Sequence, residues 1–161
     1  MRLAKLATRV LVGGLFVGHG TQKLKGWFDG PGIEGTTGMM EQLGMTPAKR
    51  NAYAAALSET VGGGLLALGL FTPLSAAMLS GTMGVAIAKV HAPNGPWATK
   101  GGWEYNAVLI AAVLAIAEDG PGSISLDHLF GLERPGLASA LVAAGLGSVA
   151  AYATLETAKP A

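Results

Sequence analysis

The stretch NAYAAALSETVGGGLLALGLFTPLSAAMLSGTMGVAIAKVH, residues 51–91, decides the fold of this chain. It holds two apolar runs of helical length that are separated only by a few residues around Thr72-Pro73. Proline is favoured in the first turn of a helix, because it lacks the N–H group that would have no partner there. The pattern therefore predicts two adjacent antiparallel helices, at about Asn51 to Leu70 and Thr72 to His91.

Three further apolar runs flank this helical pair along the chain. The first, about Leu3 to Leu24, carries no charge between Arg9 and Lys23, and both bases are expected to reach water from near its ends. The fourth run is about Trp103 to Ala117. The last, Gly136 to Thr154, consists mainly of Ala, Gly, Ser and Val, and three interpretations stay open for it: a fifth span, a peripheral helix or a tail.

The composition is typical of an integral membrane protein. Half of the 161 residues are hydrophobic, 25 are glycine and only 13% are charged, with a mean hydropathy of +0.44. So much apolar surface excludes a disordered chain, and a net charge of +1 provides no basic surface for nucleic acid. Glycines within the spans, such as those at 62–64 and 81, are interpreted as positions of close helix packing.

The domain organisation follows from these runs. We predict an all-α, integral membrane four-helix bundle over residues 1–134, followed by an Ala/Gly-rich segment, 135–161, that is an extra span or a tail. The basic start and apolar run of residues 1–18 are similar to a signal peptide. Because the residues that follow lack a small-x-small cleavage pattern and further apolar runs come after them, we expect a retained first span.

Ionisable residues within apolar spans carry the functional information, because they are costly in hydrocarbon and mostly face a cavity, a partner or a pathway. If consecutive spans alternate in direction, four span ends meet at one membrane face. Glu59 is the deepest acid there, and its carboxylate needs either a cationic partner, with Lys23 and Lys89 as candidates, or a proton. The residues at this face are His19, Gln22, Lys23, Glu59, Lys89, His91, Glu104 and Asn106.

This polar cluster has two interpretations, which are an ion-paired network that fixes the bundle and a site for a ligand or redox group. No two of its histidines and glutamates share a Glu-x-x-His spacing on one helix, so no metal site is predicted. The chain has no cysteine, which excludes disulfides, thiolate metal ligands and a dithiol relay within it.

Several short motifs resemble those of the DoxX family of small bacterial membrane proteins. They include His19-Gly20 with Gln22-Lys23-Leu24 and Gly26-Trp27, then Glu59 with Gly62-Gly63-Gly64, and later Gly101-Gly102-Trp103-Glu104-Tyr105-Asn106. The resemblance covers about Leu3 to Phe130. It implies a four-helix bundle in the bacterial inner membrane, in a family loosely grouped with redox proteins, among them the small subunit of a thiosulfate:quinone oxidoreductase.

Two functional hypotheses follow. In the first, the chain is a redox-associated membrane subunit whose polar pocket binds a quinone-like head group, without an intrinsic cofactor, and whose electrons come from a partner protein. In the second, it is a non-catalytic membrane scaffold that recruits soluble enzymes of oxidative-stress or thiol metabolism. The residues assigned to the pocket are His19, Lys23, Glu59, His91 and Glu104.

The expected partners are the lipid bilayer and a redox protein, with no nucleic acid, and homo-oligomerisation stays open. We expect a multi-pass protein of the bacterial inner membrane. Its orientation is not decided by the positive-inside rule, since the basic residues divide evenly between the two faces once Lys23 and Lys89 are assigned to the cluster.

Overall fold

The computed structural model describes residues 2–158, which form helices and loops and contain no strand. Met1 and residues 159–161, which belong to the predicted ranges 1–134 and 135–161, lie outside the described part. A π-helical turn, Ile87–His91, and a 3-10 turn, Ala92–Asn94, extend the fourth helix, and a 3-10 turn, Ala98–Lys100, precedes the fifth. The α-helices are α1 Arg2–Lys25, α2 Gly32–Gln42, α3 Ala48–Leu68, α4 Thr72–Ala86, α5 Glu104–Asp119, α6 Leu126–Leu129 and α7 Leu137–Thr157.

The predicted all-α class is confirmed, and each of the five apolar runs holds one long helix. Each of these helices begins and ends within a few residues of the predicted bounds. The last run, for which a tail was one interpretation, forms the helix α7. It packs against α4 and α5, so the interpretation as a tail is wrong.

The fourth helix is the centre of the structure. The helices α3, α5 and α7 all pack against α4, while α1 packs along α3 and α2 lies against both α1 and α3. The resulting apolar core takes side chains from all five long helices. Its buried members are Val12, Phe16, Leu66, Ala76, Ala77, Leu79, Met83, Val113, Ile116, Ala117 and Ala143.

Glycines allow two of these helix pairs to approach closely. Gly13 of α1 lies against Gly63 of α3, and Gly81 of α4 lies against Gly147 of α7, so that a Cβ atom on any of the four would meet the backbone of the opposite helix. In lipid, close backbone approach of this kind is a main source of helix association. The predicted packing role is thus confirmed at Gly63 and Gly81, whereas Gly64 faces open space.

Within residues 2–158, two helical stretches are long and apolar enough to cross a membrane by length and composition, namely Thr72–Asn94 and Leu137–Thr157. The second is also largely uncovered by the rest of the protein. A large apolar surface of this kind is suited to contact with lipid chains rather than water. Its exposed apolar side chains are Leu137, Leu141, Val142, Leu146, Val149 and Tyr152.

The loop segment between α5 and α7, which includes the short helix α6, caps the start of α4 through Asp127 of α6. The buried carboxylate of Asp127 accepts hydrogen bonds from the backbone N–H of Phe71 at 2.8 Å, from that of Thr72 at 3.0 Å and from the Thr72 hydroxyl at 2.7 Å. In turn, the Asp127 N–H donates to the carbonyl of Gly69 at 2.8 Å. The predicted helix start at Thr72 is confirmed, and a distant acid satisfies the N–H groups that this helix end leaves free.

Arg9 corrects one expectation, because it does not reach water. It is only 1% exposed, and its Nη1 and Nη2 groups donate to the carbonyls of Pro121 at 2.9 Å and Ile124 at 2.7 Å. Gly69 makes room for it, since a Cβ there would overlap the guanidinium group. Arg9 therefore ties the first helix to the same loop that Asp127 anchors.

We predict that Asp127→Ala lowers the free energy of unfolding by about 2 to 4 kcal/mol, because it leaves buried N–H groups of α4 without acceptors. Thermal unfolding of the protein in detergent micelles measures this. Asp119→Ala is the matched control, since Asp119 is 71% exposed and only contacts Lys5 at 3.8 Å. Equal losses in the two variants would contradict the capping role.

Candidate functional site

Lys23 of α1 and Glu59 of α3 form an ion pair in which Glu59 is buried and Lys23 is partly buried. Lys23 Nζ donates to Glu59 Oε2 at 2.6 Å, and the two side chains are 22% and 5% exposed. Lys23 Nζ also lies 3.5 Å from the carbonyl oxygen of His19. Of the two cations predicted as partners for Glu59, Lys23 is the one that pairs with it.

Local packing positions both members of the pair. The hydroxyl of Thr36, which is fully buried in α2, donates to the Lys23 carbonyl at 3.2 Å and to that of Gly32 at 2.7 Å. Gly20 lies against the backbone of Thr60, which brings α1 onto α3 one residue away from Glu59. The end of α1 is therefore held between α2 and α3, with the Lys23 ammonium directed at the carboxylate.

The pair opens into a cavity of about 430 Å³. Its walls come from α2, α3, α4 and α7, and its lining is mostly apolar. Four of the chain's six methionines contribute to that lining, and methionine adapts its shape to irregular ligands more readily than branched side chains do. The apolar lining residues include Met39, Met40, Leu43, Met45, Leu74, Met78, Val85 and Leu146.

Lys89 is a second cation at this cavity. It lies in the π-helical extension of α4 and lines the same space as Lys23 and Glu59. Within residues 2–158, its ammonium group has no hydrogen-bond or ion-pair partner. The ionisable groups at the wall thus comprise one neutralised pair and one further positive charge, which suits a ligand that presents oxygen atoms as acceptors.

The other predicted site residues lie outside this lining. The His91 Nδ1 atom is 2.8 Å from the carbonyl oxygen of Gly101, and the Glu104 carboxylate accepts a hydrogen bond from the Ala98 N–H at 2.6 Å. Both contacts fix the loop between α4 and α5. His19 is exposed on α1. The structure therefore brings Lys23 and Glu59 together at the cavity and does not bring His19, His91 or Glu104 to it.

Sequence reasoning missed the walls of the cavity. Met39 and Met40 of α2, and Leu146 and Thr154 of α7, line it but were assigned no role. The spacing of Leu146, Ala150 and Thr154 at four-residue intervals places them on one face of α7, which is the only local signal available. That signal does not show which neighbour the face meets.

The DoxX family model matches residues 4–92, which is more than half of the chain. The chain belongs to the DoxX family. The match spans α1 to α4 and so includes Lys23, Glu59 and Lys89, while α5 and the α7 wall lie beyond it.

DoxX membership and the two apolar helices identify a membrane protein that contacts the lipid bilayer. No curated protein and no solved structure matches the chain.

We predict that the two members of the ion pair are energetically coupled. Lys23→Met leaves a buried carboxylate without its cation and should cost about 3 kcal/mol of unfolding free energy, whereas Glu59→Leu should cost less, because the Lys23 side chain is 22% exposed. The double variant buries no unpaired charge, so its loss should be well below the sum of the two. Denaturant unfolding in micelles measures this cycle, and additive losses would contradict the coupling.

Proposed function

We propose that this DoxX-family protein is a multi-pass subunit of the bacterial inner membrane that binds a quinone-like molecule in the cavity between α2, α3, α4 and α7. In this proposal it serves a redox system whose electron donor is a partner protein. The main support for this function is the partly buried Lys23–Glu59 pair, whose Nζ and Oε2 atoms lie 2.6 Å apart at the wall of a largely apolar cavity of about 430 Å³.

The cavity has the properties that such a ligand requires. Its volume lies within the range of about 300 to 1,000 Å³ that is usual for small-molecule sites, and a mostly apolar wall with few polar groups is also usual there. Methionine and aliphatic side chains suit a quinone ring, while the ammonium groups of Lys23 and Lys89 can donate to its carbonyl oxygens.

The chain's own residues would bind the ligand and supply protons. Reduction of a quinone to a quinol takes up two electrons and two protons. A partner redox protein would supply both electrons, and Glu59 would pass on the two protons one at a time, taking each from water. Glu59 faces the cavity, and its neighbour Lys23 orients its carboxylate.

Glu59→Gln tests the assignment. The amide keeps an acceptor for Lys23 but carries no charge and releases no proton, so we expect quinone affinity in nanodiscs to fall at least about tenfold while the helical content is retained. Glu104→Gln is the matched control, because Glu104 caps the loop at Ala98 and lies outside the cavity. Binding that is unchanged in Glu59→Gln, or absent in the wild type, would favour the scaffold hypothesis instead.

The multi-pass arrangement is tested by cysteine labelling, for which a chain without cysteine is suited. Asp29→Cys and Lys100→Cys follow α1 and α4, whereas Arg134→Cys follows α5. If α1, α3, α4 and α5 all cross the bilayer, a membrane-impermeant maleimide should label the first two from one side and the third from the other. Labelling of all three from one side would exclude this arrangement.

A further inference from the structure

The cavity extends along α4 from the Glu59 carboxylate to the C-terminal end of that helix at Lys89. The helices α3 and α4 run antiparallel, and the Ser75 hydroxyl donates to the Gly62 carbonyl at 2.8 Å, so Glu59 lies level with Met78. Lys89 is eleven residues further along, which is about 16 Å at about 1.5 Å per residue. Glu59 therefore lies deep among the helices, while Lys89 lies near the end of α4.

The end of the cavity at Lys89 lies at the face where α1 and α4 end, since both run antiparallel to α3. The chain's three tryptophans are also at this face, which we call the tryptophan face. Trp27 follows α1, Trp97 follows α4 and Trp103 precedes α5, and they are 58%, 59% and 38% exposed. Exposed tryptophans are typical of a membrane–water interface, and the Lys89 ammonium, which has no protein partner within residues 2–158, requires water as a partner.

Two polar side chains line the cavity close to Lys89. By the register of α3 on α4, Asn51 lies within about one helical turn of Lys89. The helix α7 runs parallel to α4, and Ala151 lies next to Gly84, so Thr154 is about as far along the helices as Lys89. The Thr154 hydroxyl lines the cavity and makes no hydrogen bond in the described part of the chain. This end of the cavity is therefore polar on three sides.

Ser58 continues the polar lining as far as Glu59. It precedes Glu59 in α3 and lines the cavity, and within residues 2–158 its hydroxyl has no hydrogen-bond partner. The Thr60 hydroxyl of the same helix, by contrast, donates to the Ala56 carbonyl at 2.7 Å. A hydroxyl that faces a cavity without a protein partner is normally hydrogen-bonded to water. We call the cavity-lining residues Asn51, Ser58, Thr82 and Thr154 the polar strip.

The cavity is large enough to hold water along the polar strip. Water occupies cavities in which it finds room and about two to four polar partners, and about 430 Å³ accommodates on the order of ten waters. Along α3, Asn51 and Glu59 are about 12 Å apart at about 1.5 Å per residue. Roughly four waters at hydrogen-bonding distance of one another span that length.

We infer that a file of water enters the cavity at the tryptophan face and follows the polar strip to Glu59. For each quinone that is reduced to a quinol, two protons pass from bulk water at that face along the file to Glu59 and then to the quinone oxygens, while the partner redox protein supplies the two electrons. The use of the protons rests on the proposed function, whereas the route is tested without a quinone.

Single-cysteine variants in oriented membrane vesicles test the route, because the chain has no cysteine of its own. A thiol reacts with a methanethiosulfonate as its thiolate, which forms in water and not in hydrocarbon. We expect a small, charged, membrane-impermeant methanethiosulfonate to modify Ser58→Cys from the side that labels Lys100→Cys, at least about tenfold faster than it modifies Leu57→Cys. Leu57 is the matched control, since it is 46% exposed on the same helix and does not line the cavity.

Equal rates at residues 57 and 58, or reaction of Ser58→Cys only from the side that labels Arg134→Cys, would overturn the route and leave the quinone site in place. Circular dichroism of each variant checks that the helices are retained. Failure of the wild type to bind a quinone would overturn the proposed function and the delivery of protons with it, whichever way Ser58→Cys reacts.

Thr154→Trp tests the entrance to the file. The indole would fill the space beside Lys89, so it should slow the modification of Ser58→Cys by at least about tenfold. Ala153→Trp is the matched control, because Ala153 is an exposed neighbour on α7 that does not line the cavity. An unchanged rate in Thr154→Trp, or the same slowing in Ala153→Trp, would overturn an entrance at Thr154 and Lys89.

Discussion

The structure depends on the requirement that a charge in apolar surroundings must have a partner. The Lys23–Glu59 pair meets this requirement by fixing the end of α1 against the middle of α3. A buried pair of this kind adds little net stability over an apolar pair of the same shape, but either charge alone would be strongly destabilising. The pair therefore selects one packing of α1 on α3, because any register that separates Lys23 from Glu59 would leave a charge without a partner. The selected register also places both side chains at the cavity.

Buried polar groups serve different purposes at the two ends of the protein, although Arg9 Nε at one end has no hydrogen-bond partner within residues 2–158. At one end, Asp127 accepts three hydrogen bonds and the Arg9 guanidinium donates to two carbonyls, so these buried groups serve to hold α1, α4 and the α5–α7 loop together. At the other end, Lys89 lines the cavity and has no partner within the described residues. Groups that several protein atoms hold in place are typical of structural roles, whereas an available donor at a cavity is typical of a binding site.

The sequence predicted the helices well, because the signals for them are local. Apolar runs, the proline in the first turn of α4 and the flanking loops set the helix bounds. The meeting of Lys23 with Glu59 was also predictable, since alternating helix directions bring those ends to one face. The contact of Arg9 with the carbonyls of Pro121 and Ile124 was not, because it joins positions more than a hundred residues apart and leaves no periodic pattern. His91 and Glu104 share the predicted face, but knowing the face does not show that each side chain bonds to the backbone of the loop rather than entering the cavity.

The width of the cavity follows from the small residues of α7. Gly147 allows the α7 backbone to lie on Gly81 of α4, and the residues one and two turns later, Ala150, Ala151 and Thr154, then form the cavity wall. A larger side chain at residue 147 would move α7 away from α4, which would widen the gap toward α3 and expose the ion pair to lipid. By itself, the Ala/Gly-rich composition of this segment indicates only a weakly specified helix. In the structure, its small residues set the distance between the apolar wall and the charged groups of Lys23 and Glu59. The helix α7 lies beyond the family match, but it shapes a site whose charged residues, Lys23, Glu59 and Lys89, lie within that match.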